Sequence, residues 1–151
     1  MNELQEQLNT DYVYAYRETT EGFVKFYKSP NIPRWADKDP EYTLAVTLPQ
    51  DIADKITAQE LQESNVKIIQ EIKDKTQKIL DLQAVSLGYD NINSIAKFIG
   101  YDNQYRLEAE KLGAWTALTW ITLEAEQDRI IAEGAAISVE NILALIPDYI
   151  A

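Results

Sequence analysis

Residues 11–27 read DYVYAYRETTEGFVKFY, and this stretch indicates that the chain is not an all-helical protein. Two runs rich in aromatic and β-branched residues, which favour strands, flank the polar connector Glu18–Gly22. A short polar connector with a glycine is typical of a hairpin. We therefore predict an antiparallel β-hairpin, which a third run of alternating residues, 42–48, could extend to a small meander.

From about residue 50 the apolar residues follow the period of a helix. Thr57-Ala58-Gln59-Glu60 fits a capping box, which predicts that the helix begins there. An alternating four-three spacing, with Asn65 and Lys75 as two polar interruptions, is typical of a coiled-coil seam. The same stripe suits a helix packed on its own domain. The predicted seam, for oligomerisation or helix packing, consists of Leu61, Asn65, Ile68, Ile72, Ile79 and Leu82.

Three glycines, Gly88, Gly100 and Gly134, predict the ends of further helices. The expected elements are a short helix over 91–99 capped by Asp90, a long helix over 104–132, and a last short helix over 139–146 capped by Ser138. Apolar residues spread over a wide arc of the long helix, which predicts burial on more than one side. The predicted fold class is α+β, a hairpin or meander followed by about four helices, organised as 1–50, 51–87 and 88–151.

The net charge and the missing residue types exclude several classes of function for this chain. The formal charge of −11 argues against nucleic acid and against anionic membrane surfaces, because both require clustered Lys and Arg. The chain has no Cys and no His, which removes thiol nucleophiles, imidazole bases and nearly all zinc sites. Glu108/Glu110 and Glu124/Glu126 stand two apart and therefore diverge on a helix. We expect no enzyme, no cofactor, no metal, and synthesis in the cytosol.

Aromatic residues concentrate in the amino-terminal part of the chain. One face of the predicted sheet can pack on the helices while the other contacts a partner, although a sheet–helix core is an equal alternative. The candidate partner-binding residues are Tyr12, Tyr14, Tyr16, Phe23, Phe26, Tyr27 and Trp35. Trp115 and Trp120 lie about 140° apart on a helix, so we expect both in the helical core or one as an anchor for a partner.

A family resemblance covers residues 89–147, about 40% of the chain. The residues that carry it are Tyr89-Asp90-x-Ile92-x-Ser94-x-Ala96, Gly100-Tyr101, Glu108-Ala109-x-x-Leu112-x-Ala114-Trp115-x-x-x-x-Trp120, and Ser138-Val139-Glu140-Asn141-Ile142-Leu143-x-x-Ile146-Pro147. This pattern resembles small tailed-bacteriophage proteins encoded beside tail-fibre genes, and it consists mostly of core and cap residues.

The resemblance implies a non-catalytic chaperone or accessory of tail-fibre assembly. Its partner would be a tail-fibre or other tail protein, and its location the host cytoplasm during assembly. A resident adaptor of the virion tail or baseplate, oligomerising through the 61–82 helix, is the alternative. A third hypothesis, an enzyme acting on cell-wall glycans, would need a pair of carboxylates in a cleft.

Overall fold

A computed structural model describes residues 11–151 of the chain. It has an α+β fold, as predicted. The elements are β1 (Tyr14–Glu18), β2 (Val24–Lys28), a 3-10 helix (Arg34–Asp37), β3 (Thr43–Ala45), α1 (Gln50–Ser86), a second 3-10 helix (Ile92–Phe98), α2 (Arg106–Ala132) and α3 (Val139–Leu143). The contacts divide the chain into two compact units, one ending at Glu60 and one spanning Leu61–Ala151.

The strands form an antiparallel sheet in the order β2-β1-β3. The predicted hairpin is confirmed, with Tyr16 opposite Phe26. The third strand pairs with β1, with Ala15 opposite Leu44, so the sheet is not a meander. After β2 the chain crosses to the far side of β1 before it forms β3. Along this connection Ile32 and Ala36 are buried beside Ala15.

Each face of the sheet has its own apolar cluster, because successive side chains of a strand point to opposite sides. Ala15 belongs to the cluster formed by the connection after β2. Tyr16 packs on the other face, against a cluster that includes Ile52 and Ile56 of α1. The side-chain amide of Gln59 bonds both backbone groups of Val24, accepting from its N–H at 2.6 Å and donating to its carbonyl at 3.1 Å.

The first helix begins at Gln50, before the predicted capping box, so that interpretation of Thr57 was wrong. Thr57 lies inside the helix, where its hydroxyl donates to the Ala53 carbonyl at 3.0 Å. Burial of Ile52 and Ile56 against the sheet explains the earlier start, since packing of an apolar face outweighs a local capping signal. Gly88, with φ of +97°, lies just beyond the end of α1.

The second unit joins part of α1 to α2 through two apolar clusters. One contains Leu80, Ala84, Leu112 and Trp115. The other contains Ile72, Leu123, Ile137 and Ile142. The cap of the 3-10 helix is Asn91, one residue beyond the predicted Asp90, in a capping box with Ser94. Ser138 caps α3 as predicted, its hydroxyl accepting from the Asn141 amide at 3.4 Å.

Burial of α2 on more than one side was a wrong expectation. Its buried residues follow a single stripe of three- and four-residue steps, Ala109, Leu112, Trp115, Thr119, Leu123 and Gln127. Leu107, Leu118 and Ile121 are exposed instead. The apolar residues of α2 therefore form two faces. The described part of the chain buries one of these faces and leaves the other exposed.

Candidate functional site

Three aromatic rings meet at the surface of the first unit. Tyr27 comes from β2, Trp35 from the 3-10 helix, and Tyr42 from the residue before β3. The Trp35 centroid lies 5.8 Å from that of Tyr27 and 5.2 Å from that of Tyr42, with the rings edge to face in both pairs. This is the preferred geometry for aromatic pairs. The three residues, here the Trp35 cluster, leave the Trp35 side chain 46% exposed.

The 3-10 helix holds Trp35 in place through its backbone. The Ala36 amide donates to the Pro33 carbonyl at 3.1 Å, and Ala36 itself is buried against the sheet. The amides of Lys38 and Asp39 both donate to the Trp35 carbonyl, at 3.0 and 3.1 Å. Because its neighbour is anchored and its own carbonyl is bonded twice, the indole projects from a fixed turn.

Arg17 extends this surface beyond the three rings. Its guanidinium lies 5.7 Å from the centroid of the Tyr42 ring, within the range of a cation–π contact. It also pairs with Glu41, with 2.6 Å between Nη1 and Oε2. An open groove of about 670 Å³ begins there, and Phe23, Lys25 and three glutamates, Glu18, Glu21 and Glu41, are among its lining residues. An aromatic surface thus adjoins a charged groove with more carboxylates than cations.

The seven candidate residues do not share one surface. Tyr27 and Trp35 meet in the Trp35 cluster, and Phe23 lines the neighbouring groove. Tyr16 and Phe26 pack on the opposite face of the sheet with Val24 and the start of α1. Tyr14 is half-buried, with the Lys28 ammonium 5.9 Å from its ring centroid, and Tyr12 is exposed.

Sequence reasoning missed Arg17 and Tyr42. The alternation of β1 carried a signal for Arg17, since it shares a strand face with Ala15, and that face receives the Trp35 cluster. Tyr42 lay in the run assigned to the third strand, where nothing local indicated a contact with Trp35. Only the crossing of the chain from β2 to the far side of β1 brings the two rings together.

The predicted seam on α1 divides into buried and exposed parts. Asn65 and Ile72 are buried, Leu61 and Ile68 are half-buried, and Ile79 and Leu82 are exposed. A straight helix has 3.6 residues per turn, so a heptad stripe drifts by about 20° with each repeat. The line of burial accordingly shifts to Thr76, Leu80 and Ala84.

Asn65 bonds the backbone of its own chain through both its amide nitrogen and its amide oxygen. Its amide nitrogen donates to the Ala135 carbonyl at 3.1 Å, and its amide oxygen accepts from the Ile137 amide at 3.0 Å. The side chain therefore pairs with the backbone on either side of residue 136, through one donor and one acceptor. This pairing provides an intrachain reason for a polar residue in the stripe.

Trp115 lies in the helical core. Its indole Nε1 donates to the Pro147 carbonyl at 2.7 Å, and its ring meets Tyr149 edge to face at 5.6 Å. Trp120 is half-buried and packs against the same cluster. Nearby, burial and then the Glu108 carboxylate raise the pKa of Tyr89 to about 12. The contacts of Trp115 with Pro147 and Tyr149 hold the segment after α3 against α2.

A second open space, about 410 Å³, lies beside Tyr89, with Asp90 as the carboxylate among its lining residues, alongside Lys97, Phe98 and Tyr105. Over residues 11–151 no group of three or more acidic side chains is arranged to hold a metal ion. Within the same range no helix is both long and apolar enough to cross a membrane. No family model, curated protein or solved structure matches the chain.

Proposed function

We propose that this chain is a non-catalytic bacteriophage protein that binds a tail-fibre or other tail component, acting as a chaperone or accessory of assembly. The observation that carries the binding role is the exposed indole of Trp35, held on a base of two tyrosines. Tryptophan is enriched among the residues that dominate binding energy, and a pre-ordered side chain loses little entropy when it is covered. The tail context comes from the resemblance over residues 89–147.

The chemistry of the surface suggests the kind of segment that it accepts. An apolar or aromatic side chain of the partner would cover Trp35, and basic side chains would lie in the groove beside Glu18, Glu21 and Glu41. The net charge of −11 favours the approach of a basic partner. The absence of His and Cys from the sequence supports a non-catalytic role, as does the lining of the space beside Tyr89, in which Asp90 is the one carboxylate.

Co-purification with the product of the neighbouring fibre gene tests this proposal. We expect the tagged chain to retain the fibre protein, and Trp35→Ala to raise the dissociation constant by about 30-fold, the effect typical of a binding hot spot. Tyr101→Ala is the matched control, because Tyr101 is an aromatic residue of similar exposure in the other unit. Normal fibres made without this gene, and no retention of the fibre protein, would contradict the proposal.

The second candidate is a resident adaptor of the virion tail or baseplate. Ile79 and Leu82 on α1 favour this role, because their exposed side chains are available to contact another chain in an assembly. The two roles predict different locations at the end of infection. An adaptor stays in purified particles at a fixed copy number, whereas a chaperone is absent from them. Quantitative mass spectrometry of the particles separates the two.

A further inference from the structure

The outer face of α2 is an apolar surface that the described residues 11–151 leave uncovered. Successive residues of a helix turn by about 100°, so five exposed side chains fall within about 60° of one another. These residues, here the α2 outer face, are Leu107, Ala114, Leu118, Ile121 and Ala125. Leu107, Leu118 and Ile121 are 69%, 52% and 66% exposed. The face lies opposite the buried stripe of the same helix.

The sequence around this face lacks the charges that usually keep a helix surface in water. No charged residue occurs between Lys111 and Glu124, although 26% of the chain is charged. Exposed positions in that interval are filled by Ala114, Ala117, Leu118 and Ile121. Small residues beside larger ones permit another helix to approach closely. An isolated exposed leucine needs no explanation, whereas a continuous apolar stripe marks a contact surface.

The charged residues on either side of the α2 outer face indicate which kind of partner binds it. Lys111 and Arg129 lie along one border, and Glu110 and Asp128 lie along the other. In a parallel two-fold pair of α2 helices, each border faces the opposite border of the partner at the same height. Lys111 then meets Glu110 of the second copy, and Arg129 meets Asp128. In an antiparallel pair each border faces the same border of the second copy, which places like charges opposite one another.

We propose that the α2 outer face binds the same face of a second copy of this chain, with the two helices parallel. Leu118 and Ile121 lie at the centre of the contact, and Ala114 and Ala125 lie close to their counterparts. Arg129 is also paired with Glu126 of its own helix and with Glu133, the residue after the helix, at 2.5 and 2.6 Å. Glu110 lies 3.5 Å from Arg106 of its own helix, a longer ion pair, so the contact between Lys111 and Glu110 contributes more to the choice of orientation than the contact between Arg129 and Asp128. This contact is independent of partner binding at Trp35.

Molecular mass in solution tests the association. The monomer is 17.2 kDa, so we expect the full-length protein to sediment with twice that mass. Leu118→Glu and Ile121→Glu should each raise the dissociation constant of the dimer about 30-fold or more, without loss of helicity. Val66→Glu, at an exposed apolar position of α1, is the matched control and should leave the mass unchanged. A wild-type monomer at the highest soluble concentration, or dimers unaffected by both variants, would overturn the proposal.

Engineered cysteines test the orientation, because the chain has no cysteine of its own. A disulfide needs Cα atoms within about 7 Å. In the parallel pair, Ala114→Cys and Ala125→Cys each form a disulfide between identical positions. In an antiparallel pair, residue 114 faces residue 125, so cross-links form only when the two variants are mixed. That pattern would refute the parallel arrangement. Lys111→Glu should weaken the dimer, and Glu110→Lys added to it should restore association.

Discussion

Replacing Asn65 by Ala is expected to destabilise the second unit by about 2–4 kcal/mol. The substitution removes the bonds to Ala135 and Ile137. Ala135 is exposed, so its carbonyl can bond water, and losing that bond costs about 1 kcal/mol. Ile137 is 3% exposed, and its amide would remain buried without a partner, at a cost of about 1–3 kcal/mol.

Urea unfolding followed by tryptophan fluorescence measures this loss. With a slope of about 2 kcal/mol per molar urea, the middle of the usual range for small proteins, the midpoint should fall by about 1–2 M. Gln62→Ala, at an exposed amide of the same helix, is the control and should change stability by less than about 0.5 kcal/mol. Asn65→Leu separates hydrogen bonding from packing, because it restores apolar volume and leaves the Ile137 amide unpaired. If Asn65→Leu were as stable as the wild type, the hydrogen-bond account would be refuted.

Three further predictions concern other contacts. Gln59→Ala should cost the first unit about 1–2 kcal/mol and speed hydrogen exchange of the Val24 amide, while Glu60→Ala does neither. Trp115→Phe removes the bond to the Pro147 carbonyl and should lower stability by about 1–2 kcal/mol in thermal melts; an unchanged melting temperature would contradict this. Burial raises the pKa of Tyr89 from its ordinary 10.0 to about 12, so stability should fall as pH rises above about 10. Urea midpoints between about pH 9 and 11 should show a smaller loss in Tyr89→Phe, with Tyr149, whose pKa burial also raises, accounting for part of the remainder.

Local signals predicted the elements well where one residue type determines the backbone. Gly88, Gly100 and Gly134 have positive φ, which glycine adopts without strain, and they follow helices as predicted. The hairpin followed from β-branched and aromatic residues on either side of a polar turn. These features depend on a few neighbouring residues, and a sequence displays them directly.

Features set by distant contacts could not be predicted. The order β2-β1-β3 depends on where Ile32 and Ala36 pack, and no local residue specifies that packing. The start of α1 depends on the sheet that receives Ile52. For the candidate site, the sequence indicated an aromatic region, but the pairing of Trp35 with Tyr42 arises only from the strand crossing. The exposure of Leu118 likewise depends on which neighbours α2 has.

The pairing of Gln59 with Val24 has a consequence for the solubility of the protein. An open strand edge is a template on which other chains add strands, and that growth leads to aggregates. The Gln59 amide occupies both backbone groups of Val24 as a fourth strand would, and β3, the other edge strand, is only three residues long. A single helix side chain therefore occupies the first residue of the longer edge strand. Gln59→Glu, which cannot donate to the Val24 carbonyl, is expected to open this end of the edge to strand addition and to increase light scattering by aggregates.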